Sequence, residues 1–410
     1  MGFASGSVTF RRFAPVGKSP KEVDQELLDQ LASLALRPGE VGTPEEVEYG
    51  WSGGRHVLDG NFSFDNNVYG DALLFALRID SNKVPGELKK AYSLMEEEAV
   101  AATNPSGFIS KMQKREVKDS VRQKVEEDLR SGRFRRSKMV PVLWDIETQT
   151  VYSSAAGSAM EQLLELFERT FGLTLHPLSA GSIAMRMLEP KGRRRDYEDM
   201  RPTRFVYGPA GESEHPEYPW VAKGPEPKDF LGNEFLLWLW HASEGRHGVV
   251  QSEVGETSVM IDRFIDLDCA YGATGKDSLR GTGPHQMPEA RDALRSGKLP
   301  RKAGLVIECN GMQFTLGLNP ESFLIGSAKL PDVEEAENPR VVFEERIAML
   351  RELSRIVDGL FESFLNVRAS ASWEGQVAGL RKWITQGGKT AAVAVVTREL
   401  VPGPAMKIAN

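Results

Sequence analysis

Cysteine is nearly absent from this chain, with only Cys269 and Cys309 among 410 residues. Two cysteines are too few for a disulfide-stabilised secreted scaffold or a cysteine-ligated zinc cluster, and they favour a reducing cytosol. The longest apolar cluster, Phe235–Trp240, is far too short to span a bilayer. Residues 1–6 contain no apolar core of signal-peptide length. We therefore expect a cytoplasmic protein with no membrane insertion.

Recognisable catalytic motifs are also missing. The six histidines are dispersed, and the nearest two, His241 and His247, have neither the spacing of a helical metal-binding pair nor that of a zinc finger. There is no nucleophile elbow. Gly272–Ser278 resembles a phosphate loop only superficially, because its glycines are one residue too close and Asp277 takes the place of the magnesium-binding hydroxyl residue. The sequence therefore predicts a protein that is not an enzyme and has no cofactor.

One group of carboxylates keeps an enzymatic alternative open. Asp262, Asp266 and Asp268 lie in and just after a predicted strand at Val259–Leu267. Carboxylates of this kind can hold the divalent ions that stabilise the attacking and leaving oxygens in phosphodiester hydrolysis. No lysine follows at the spacing usual for metal nucleases, and an edge strand would show the same pattern. A metal-dependent nuclease is thus the alternative function.

An excess of positive charge is missing as well, since 58 acidic residues outnumber 51 basic ones and give a formal net charge of −7. Bulk attraction to nucleic acid is therefore excluded, but a local site is not, because binding depends on the cations that reach phosphates. Residues 108–138 hold eleven Lys/Arg and five Asp/Glu, a local charge of +6 that leaves −13 for the rest of the chain. The positive charge is concentrated in one segment.

Five cations of this segment follow helical spacing. At about 100° per residue they fall within an arc of roughly 100°, beside Val117, Val121 and Val125. Such a stripe is usually a solvated helix face, and the alternative is a surface that faces a polyanion. Gly132 permits a turn before a second basic run. The predicted DNA-facing residues are Lys111, Lys114, Arg115, Lys118 and Arg122 in the helix, and Arg133, Arg135, Arg136 and Lys138 after it.

A second basic cluster lies further along the chain and is the second choice for a DNA-facing surface. It follows a short helix predicted at Pro288–Arg295, which ends at Gly297. Arg291 and Arg295 belong to that helix. The DNA-facing candidates beyond it are Lys298, Arg301 and Lys302.

Hydrophobic periodicity predicts alternating strands and helices. Strands are predicted at Val8–Phe13, Val57–Phe64 and Ala72–Ile79, and hairpins at Val140–Tyr152 and around Asn310-Gly311. These hairpins favour antiparallel α+β sheets with packed helices over a doubly wound fold. Helices are predicted at Glu87–Val100, at Ser158–Phe171 and, with a continuous apolar stripe, from Asn338 to Phe364.

The chain is expected to divide into four regions. An N-terminal region, 1–187, contains the basic helix and hairpin at 108–152, and a second α+β region covers 230–372. Between them, 188–229 is rich in proline and is interpreted as a linker or a long excursion. Residues 373–410 form a C-terminal helix and a tail that we expect to be mobile or loosely attached.

Several short motifs stand in a defined order between residues 10 and 152. They are Phe10–Phe13, Gly50-Trp51, Leu77–Pro85, Lys114–Ser120, Gly132–Arg136, Val142–Ile146 and Thr150–Tyr152. In order and spacing they resemble the RdgC family of bacterial recombination-associated proteins. This chain departs from the shorter members of that family through its Pro-rich middle and its extended C-terminal part.

The resemblance implies an elongated or horseshoe-shaped α+β subunit that pairs into a ring-shaped homodimer. Such a ring holds duplex DNA in a basic hole without reading its sequence, and it modulates homologous recombination by competing with recombinase for DNA. A nucleoid-associated location follows, and no catalysis is implied. Phe134 is expected either to contact the partner subunit at the tip or to be a small local core residue.

Overall fold

The structure is a computed structural model that describes residues 2–37, 47–104, 107–206, 218–221, 227–245, 248–271, 275–332 and 338–386. It confirms the α+β class. The strands are β1 (Val8–Val16), β2 (Val47–Ser52), β3 (Val68–Tyr69), β4 (Ala72–Asn82), β5 (Arg135–Asp145), β6 (Thr150–Ser153), β7 (Thr174–Pro177), β8 (Val249–Ser252), β9 (Gly255–Cys269), β10 (Lys276–Gly281), β11 (Lys298–Cys309), β12 (Met312–Asn319) and β13 (Leu324–Lys329). The helices are α1 (Gln25–Ser33), α2 (Phe64–Asn67), α3 (Gly86–Thr103), α4 (Lys111–Arg130), α5 (Ser158–Phe171), α6 (Ala180–Leu188), α7 (Arg194–Asp199), α8 (Phe230–Glu244), α9 (Pro288–Arg295), α10 (Pro339–Arg368) and α11 (Trp373–Thr385).

The strands form one antiparallel sheet, ordered β10-β9-β11-β12-β13-β1-β6-β5-β4-β2, with β3, β7 and β8 paired to β4, β1 and β9. The first residues of β1 pair with β13, where Val8 faces Ala328, and Arg11–Phe13 pair with β6. The sheet therefore runs across the boundary predicted between the N-terminal and second regions. β1 belongs to both.

Two apolar cores lie on the sheet. The smaller core lies under α1 and α5 and centres on Trp51, Trp144 and Phe167, all of which are fully buried. The larger core contains residues of α8, α10 and the strands of the second region. Within it, Phe235 of α8 packs against Phe361 of α10 at a ring-centroid distance of 5.2 Å. Both cores follow from helices with apolar residues at i, i+3 and i+4 packed on the apolar face of a sheet.

Helix α10 contacts both the N-terminal region and the second region. Its presence confirms the long amphipathic helix predicted after Asn338. Its 30 residues give a length of about 45 Å. Arg351 donates to Asp145 of β5 at 2.8 and 2.9 Å, and Asp358 accepts from Arg12 of β1 at 2.5 and 2.6 Å. The apolar side of the same helix lies in the larger core.

Glycines explain two of the motifs. A Cβ at Gly50 would lie 2.8 Å from the carbonyl oxygen of Leu34 and from the amide of Leu36, because these residues bridge to Trp51 through backbone hydrogen bonds. The predicted turn between β11 and β12 is confirmed, with positive φ at Asn310 (51°) and Gly311 (77°). Both angles suit the short turns that join antiparallel strands.

The strand predicted at Val57–Phe64 is wrong, because a loop and the short helix α2 occupy this segment. The buried carboxylate of Asp59 accepts hydrogen bonds from the backbone N–H groups of Arg55 and Asn61, which folds the chain into a compact turn. The side chain of Asn67 holds the turn against β4 through the carbonyl of Leu74. Local side-chain hydrogen bonds therefore outweigh the apparent strand pattern here.

The described parts of the Pro-rich segment pack into the larger core. This packing is typical of a long excursion from the fold, whereas a linker would be exposed to solvent. Tyr197, Met200, Phe205 and Tyr218 are all buried. The C-terminal helix is present as α11, whereas the tail at 387–410 lies outside the described residues. Within the described ranges, no helix is both long enough and apolar enough to cross a membrane.

Candidate nucleic-acid interface

Helices α3 and α4 form an antiparallel hairpin that polar side chains hold together. Near its base, Tyr92 donates to Asp128 at 2.7 Å. Midway along, Ser120 donates to Glu96 at 3.1 Å, and Lys124 pairs with the same carboxylate. The hydrogen bonds from Lys124 and Ser120 hold the pKa of Glu96 below its ordinary value. Because each contact joins α3 to α4, the hairpin fixes the rotation of α4 about its own axis.

The hairpin buries little of its surface. Helix α3, which is described along its whole length, has no buried residue, and in α4 only Val117 is buried. A capping box begins α4, in which Ser110 accepts from the Gln113 amide and the Gln113 side chain accepts from the Ser110 amide. The hairpin is therefore a polar arm, and most of the α4 surface is open to solvent.

The basic stripe lies on the side of α4 turned away from α3. At about 100° per residue, the side of α4 that faces α3 is given by Val117, Ser120 and Lys124, and the stripe is centred roughly 140° away from it. All its cations are exposed, and among the described residues four of them make no ion pair within 4.0 Å. These four are Lys111, Lys114, Arg115 and Lys118. The fifth, Arg122, is 3.6 Å from Glu126, and this exposed pair contributes little.

The basic surface continues through the turn into β5. Gly132, at φ 68°, leads to Arg133, whose exposed guanidinium lies 5.6 Å from the ring of Phe134. Arg136 and Lys138 are exposed and make no ion pair with any described residue. They pair with Ser81 and Ile79 of β4 and so share one face of the sheet. Phe134 is partly buried, and its expected partner contact stays a prediction.

Arg135 plays a different part from its neighbours. Its guanidinium lies 3.1 Å from both Glu48 of β2 and Asp80 of β4. Burial would raise the pKa of Asp80, but hydrogen bonds from Arg78, Ser137 and Arg135 outweigh that effect and hold the pKa below its ordinary value. Arg135 therefore anchors the start of β5 to the sheet, and we do not include it among the residues available to phosphates.

The second basic cluster does not form an open cationic surface. Lys298 is buried and pairs with Asp277 at 2.5 Å, and Arg301 donates twice to Glu321 at 2.6 Å. Lys302 is exposed, with its ammonium 5.3 Å from the ring centroid of Phe264. Since carboxylates neutralise two of the three candidates, the cluster does not support a DNA-facing role.

Two arginines next to this cluster bind the C-terminal helix. Arg291 donates to the Trp383 carbonyl at 2.9 Å and stacks on the Trp383 ring at 3.9 Å, and Arg295 donates to the Ile384 carbonyl at 3.2 Å. Both carbonyls belong to the last turn of α11, where helical partners are lacking. This role could not be predicted from the sequence, because the acceptors are backbone atoms of a distant helix.

The candidate nuclease carboxylates already form ion pairs or hydrogen bonds with neighbouring groups. Asp266 lies 2.9 Å from Arg280 of β10, Asp268 lies 3.1 Å from Lys276, and Asp262 accepts from the Gly283 amide. The part of the chain that the structure describes holds no group of three His, Cys, Asp or Glu side chains that could bind a metal. The Asp266–Arg280 and Asp268–Lys276 pairs are cross-strand contacts between β9 and β10.

Sequence reasoning missed the residues that position the basic surface. Glu96 and Ser120 set the rotation of α4, and Asp80 and Glu48 hold the start of β5. The opposite charges of Arg78 and Asp80, two residues apart at the end of the strand predicted at Ala72–Ile79, were a local signal. Comparison with known proteins adds no relative: no protein-family model matches the chain, and a search of curated proteins returned no match.

Proposed function

We propose that this protein binds double-stranded DNA through the exposed cations of α4 and the start of β5, without reading the base sequence. The observation that carries the proposal is the set Lys111, Lys114, Arg115 and Lys118, which is exposed and unpaired among the described residues. Unpaired surface cations on one line attract a polyanion, and the release of counterions from DNA drives such binding.

The length of the surface supports a duplex as the partner. Lys111 to Arg122 spans about 16 Å along α4, and B-DNA carries one phosphate charge per about 1.7 Å of axis. Several phosphates therefore lie within reach of one helix, with Arg133, Arg136 and Lys138 extending the contact. The net charge of the remaining chain is negative, so DNA is repelled from other surfaces.

The resemblance to the RdgC family supports a wider role, which rests on the sequence motifs. We infer that two copies pair into a ring around the duplex, with Phe134 near the contact between them. A nucleoid-associated ring of this kind would limit the access of recombinase to DNA and so modulate homologous recombination.

The ring is tested by comparing linear and closed circular duplexes in a gel-shift series, with a mass measurement of the free protein. We expect a dimer that binds duplexes of different sequence with equal affinity. A raised salt concentration should release it from linear DNA by sliding and leave it on closed circles. Equal release from both forms would exclude a ring, and cleavage of the DNA after incubation with magnesium or manganese would favour the nuclease alternative.

A further inference from the structure

The tip of the α3–α4 hairpin carries exposed apolar side chains that contact with phosphates does not require. Helix α3 leaves the sheet just after β4 and α4 returns to it just before β5, so the turn between the two helices lies at the far end of the hairpin. The 20 residues of α4 span about 30 Å, which separates this tip from the sheet. Phe108 and Met112 lie at the tip. Their exposed fractions, 81% and 71%, are the largest of any large apolar side chain in the described ranges.

Hydrogen bonds fix the backbone of the tip although these side chains face solvent. The side-chain amides of Asn104 and Gln113 donate to each other at 3.0 and 2.9 Å, and Asn104 also donates to the Phe108 carbonyl at 2.7 Å. Gly107, at φ 66°, supplies the left-handed backbone conformation that the turn requires. The turn therefore holds Phe108 in an exposed position before any partner binds, which limits the entropy lost on binding.

The charged residues around the tip are all positive. Residues 99–115 include three cations of the basic stripe and not one Asp or Glu, in a chain that has 58 acidic residues. Leu94 shows the contrast, because it is another exposed apolar residue of the hairpin but precedes three glutamates at 96–98. The tip therefore attracts a polyanion, whereas the glutamates next to Leu94 repel one.

An apolar side chain next to phosphate-binding cations is within reach of the bases. Phe108 precedes Lys111, the first cation of the stripe, by three residues, so their Cα atoms are at most about 11 Å apart. The minor groove of B-DNA is about 6 Å wide, so a ring at this distance from a bound phosphate can reach a base. Proteins that bind the minor groove insert Phe or Met side chains between base steps.

We propose that Phe108 stacks on an unstacked base, so that the protein binds a duplex with an unpaired base more tightly than a fully paired duplex. This inference rests on the proposed DNA interface and adds a preferred substrate class to it. A paired step must be unstacked before a ring can enter it, whereas a bulged base has no pairing partner and costs less to displace. Every base has a π-face, so the preference is for a defect in pairing and not for a base sequence. Met112 adds apolar surface at the same tip.

The test is fluorescence anisotropy of the full chain with a fully paired duplex and with the same duplex carrying a single unpaired adenine at its centre. We expect the bulged probe to bind at least about fivefold more tightly, the lower end of what one base–aromatic stack contributes. Phe108→Ala should remove this difference and leave affinity for the paired duplex within about twofold, because all the cations remain. Phe108→Trp should keep the difference. So should the control Leu94→Ala, which truncates an exposed apolar side chain elsewhere on the hairpin.

Melting curves and mass measurements without DNA separate base contact from other roles of Phe108. We expect Phe108→Ala to keep the melting temperature and the mass of the unaltered protein, because the ring is exposed. A large fall in melting temperature would make the ring structural, and loss of a dimer would make it a contact with a second copy; either result overturns the proposal.

The affinities distinguish this proposal from the proposed function. Equal binding of both probes by the unaltered protein, a preference that survives in Phe108→Ala, or an equal loss of preference in Leu94→Ala would overturn the role of Phe108 and leave the phosphate interface intact. Absence of binding to both probes would instead refute the DNA interface itself.

Discussion

Replacing both Lys114 and Lys118 by glutamate should weaken binding to every duplex, whatever its sequence, by roughly 150- to 800-fold at low salt. Each lysine is exposed, and neither is paired with a described residue. Loss of a phosphate contact in water costs about 1 kcal/mol, and the new carboxylate adds a repulsion of similar size. The two substitutions together therefore reduce the binding free energy by about 3–4 kcal/mol. Fluorescence anisotropy with duplexes of several sequences measures the change.

The matched control carries the same change of charge at the other end of β5. Lys18 and Lys21 are exposed in the loop whose Pro20 carbonyl accepts from Gln149, next to the end of β5 that is remote from α4. Lys18→Glu with Lys21→Glu should leave affinity nearly unchanged, because these residues lie outside the basic surface. If the α4 variant lost affinity for one DNA sequence only, that result would indicate base readout and contradict the phosphate interface.

The second large effect concerns stability, and it arises at the buried pair of Arg368 and Glu234. The fully buried Glu234 carboxylate accepts from Arg368 at 2.6 Å and from the Thr203 amide at 2.7 Å. Arg368→Ala leaves that carboxylate without its cation, so we expect the free energy of unfolding to fall by about 3–5 kcal/mol. Denaturant titration measures the fall.

Two further variants test the cause of that loss. Arg355→Ala breaks an exposed pair with Glu352 at 2.7 Å and should change the free energy of unfolding by no more than about 1 kcal/mol. Glu234→Gln combined with Arg368→Met removes both charges and should recover much of the loss. The Arg368 guanidinium also lies 4.9 Å from the centroid of the Trp373 ring. If the double variant is no more stable than Arg368→Ala, lost packing on Trp373 explains the effect, and the ion pair does not.

Elements specified by local signals were predicted well from the sequence. Local signals are patterns that a few neighbouring residues determine, such as helical periodicity or turn residues. They predicted the long helix after Asn338, the basic helix and the Asn310-Gly311 hairpin. The segment at Val57–Phe64 was predicted wrongly because one buried carboxylate, Asp59, decides its conformation. A side-chain hydrogen bond of this kind produces no periodic pattern of apolar residues in the sequence.

The site was harder to predict because counter-ions come from distant parts of the chain. Arg135 and Lys138 look alike in sequence, yet only Arg135 is neutralised, by Glu48 and Asp80, which are 87 and 55 residues away. Arg291 and Arg295 likewise find their acceptors 92 and 89 residues away, in α11. Charge density along the sequence identified the basic helix, but only the fold distinguishes open cations from paired ones.

The salt dependence of DNA affinity tests the central claim most directly. If about six cations per subunit reach phosphates, the logarithm of the association constant should fall with the logarithm of salt concentration at a slope of roughly −5. The Lys114→Glu and Lys118→Glu double variant should show a slope about 2 units shallower. A flat response in the unaltered protein, or an equal slope in the double variant, would contradict the assignment of DNA binding to the α4 stripe.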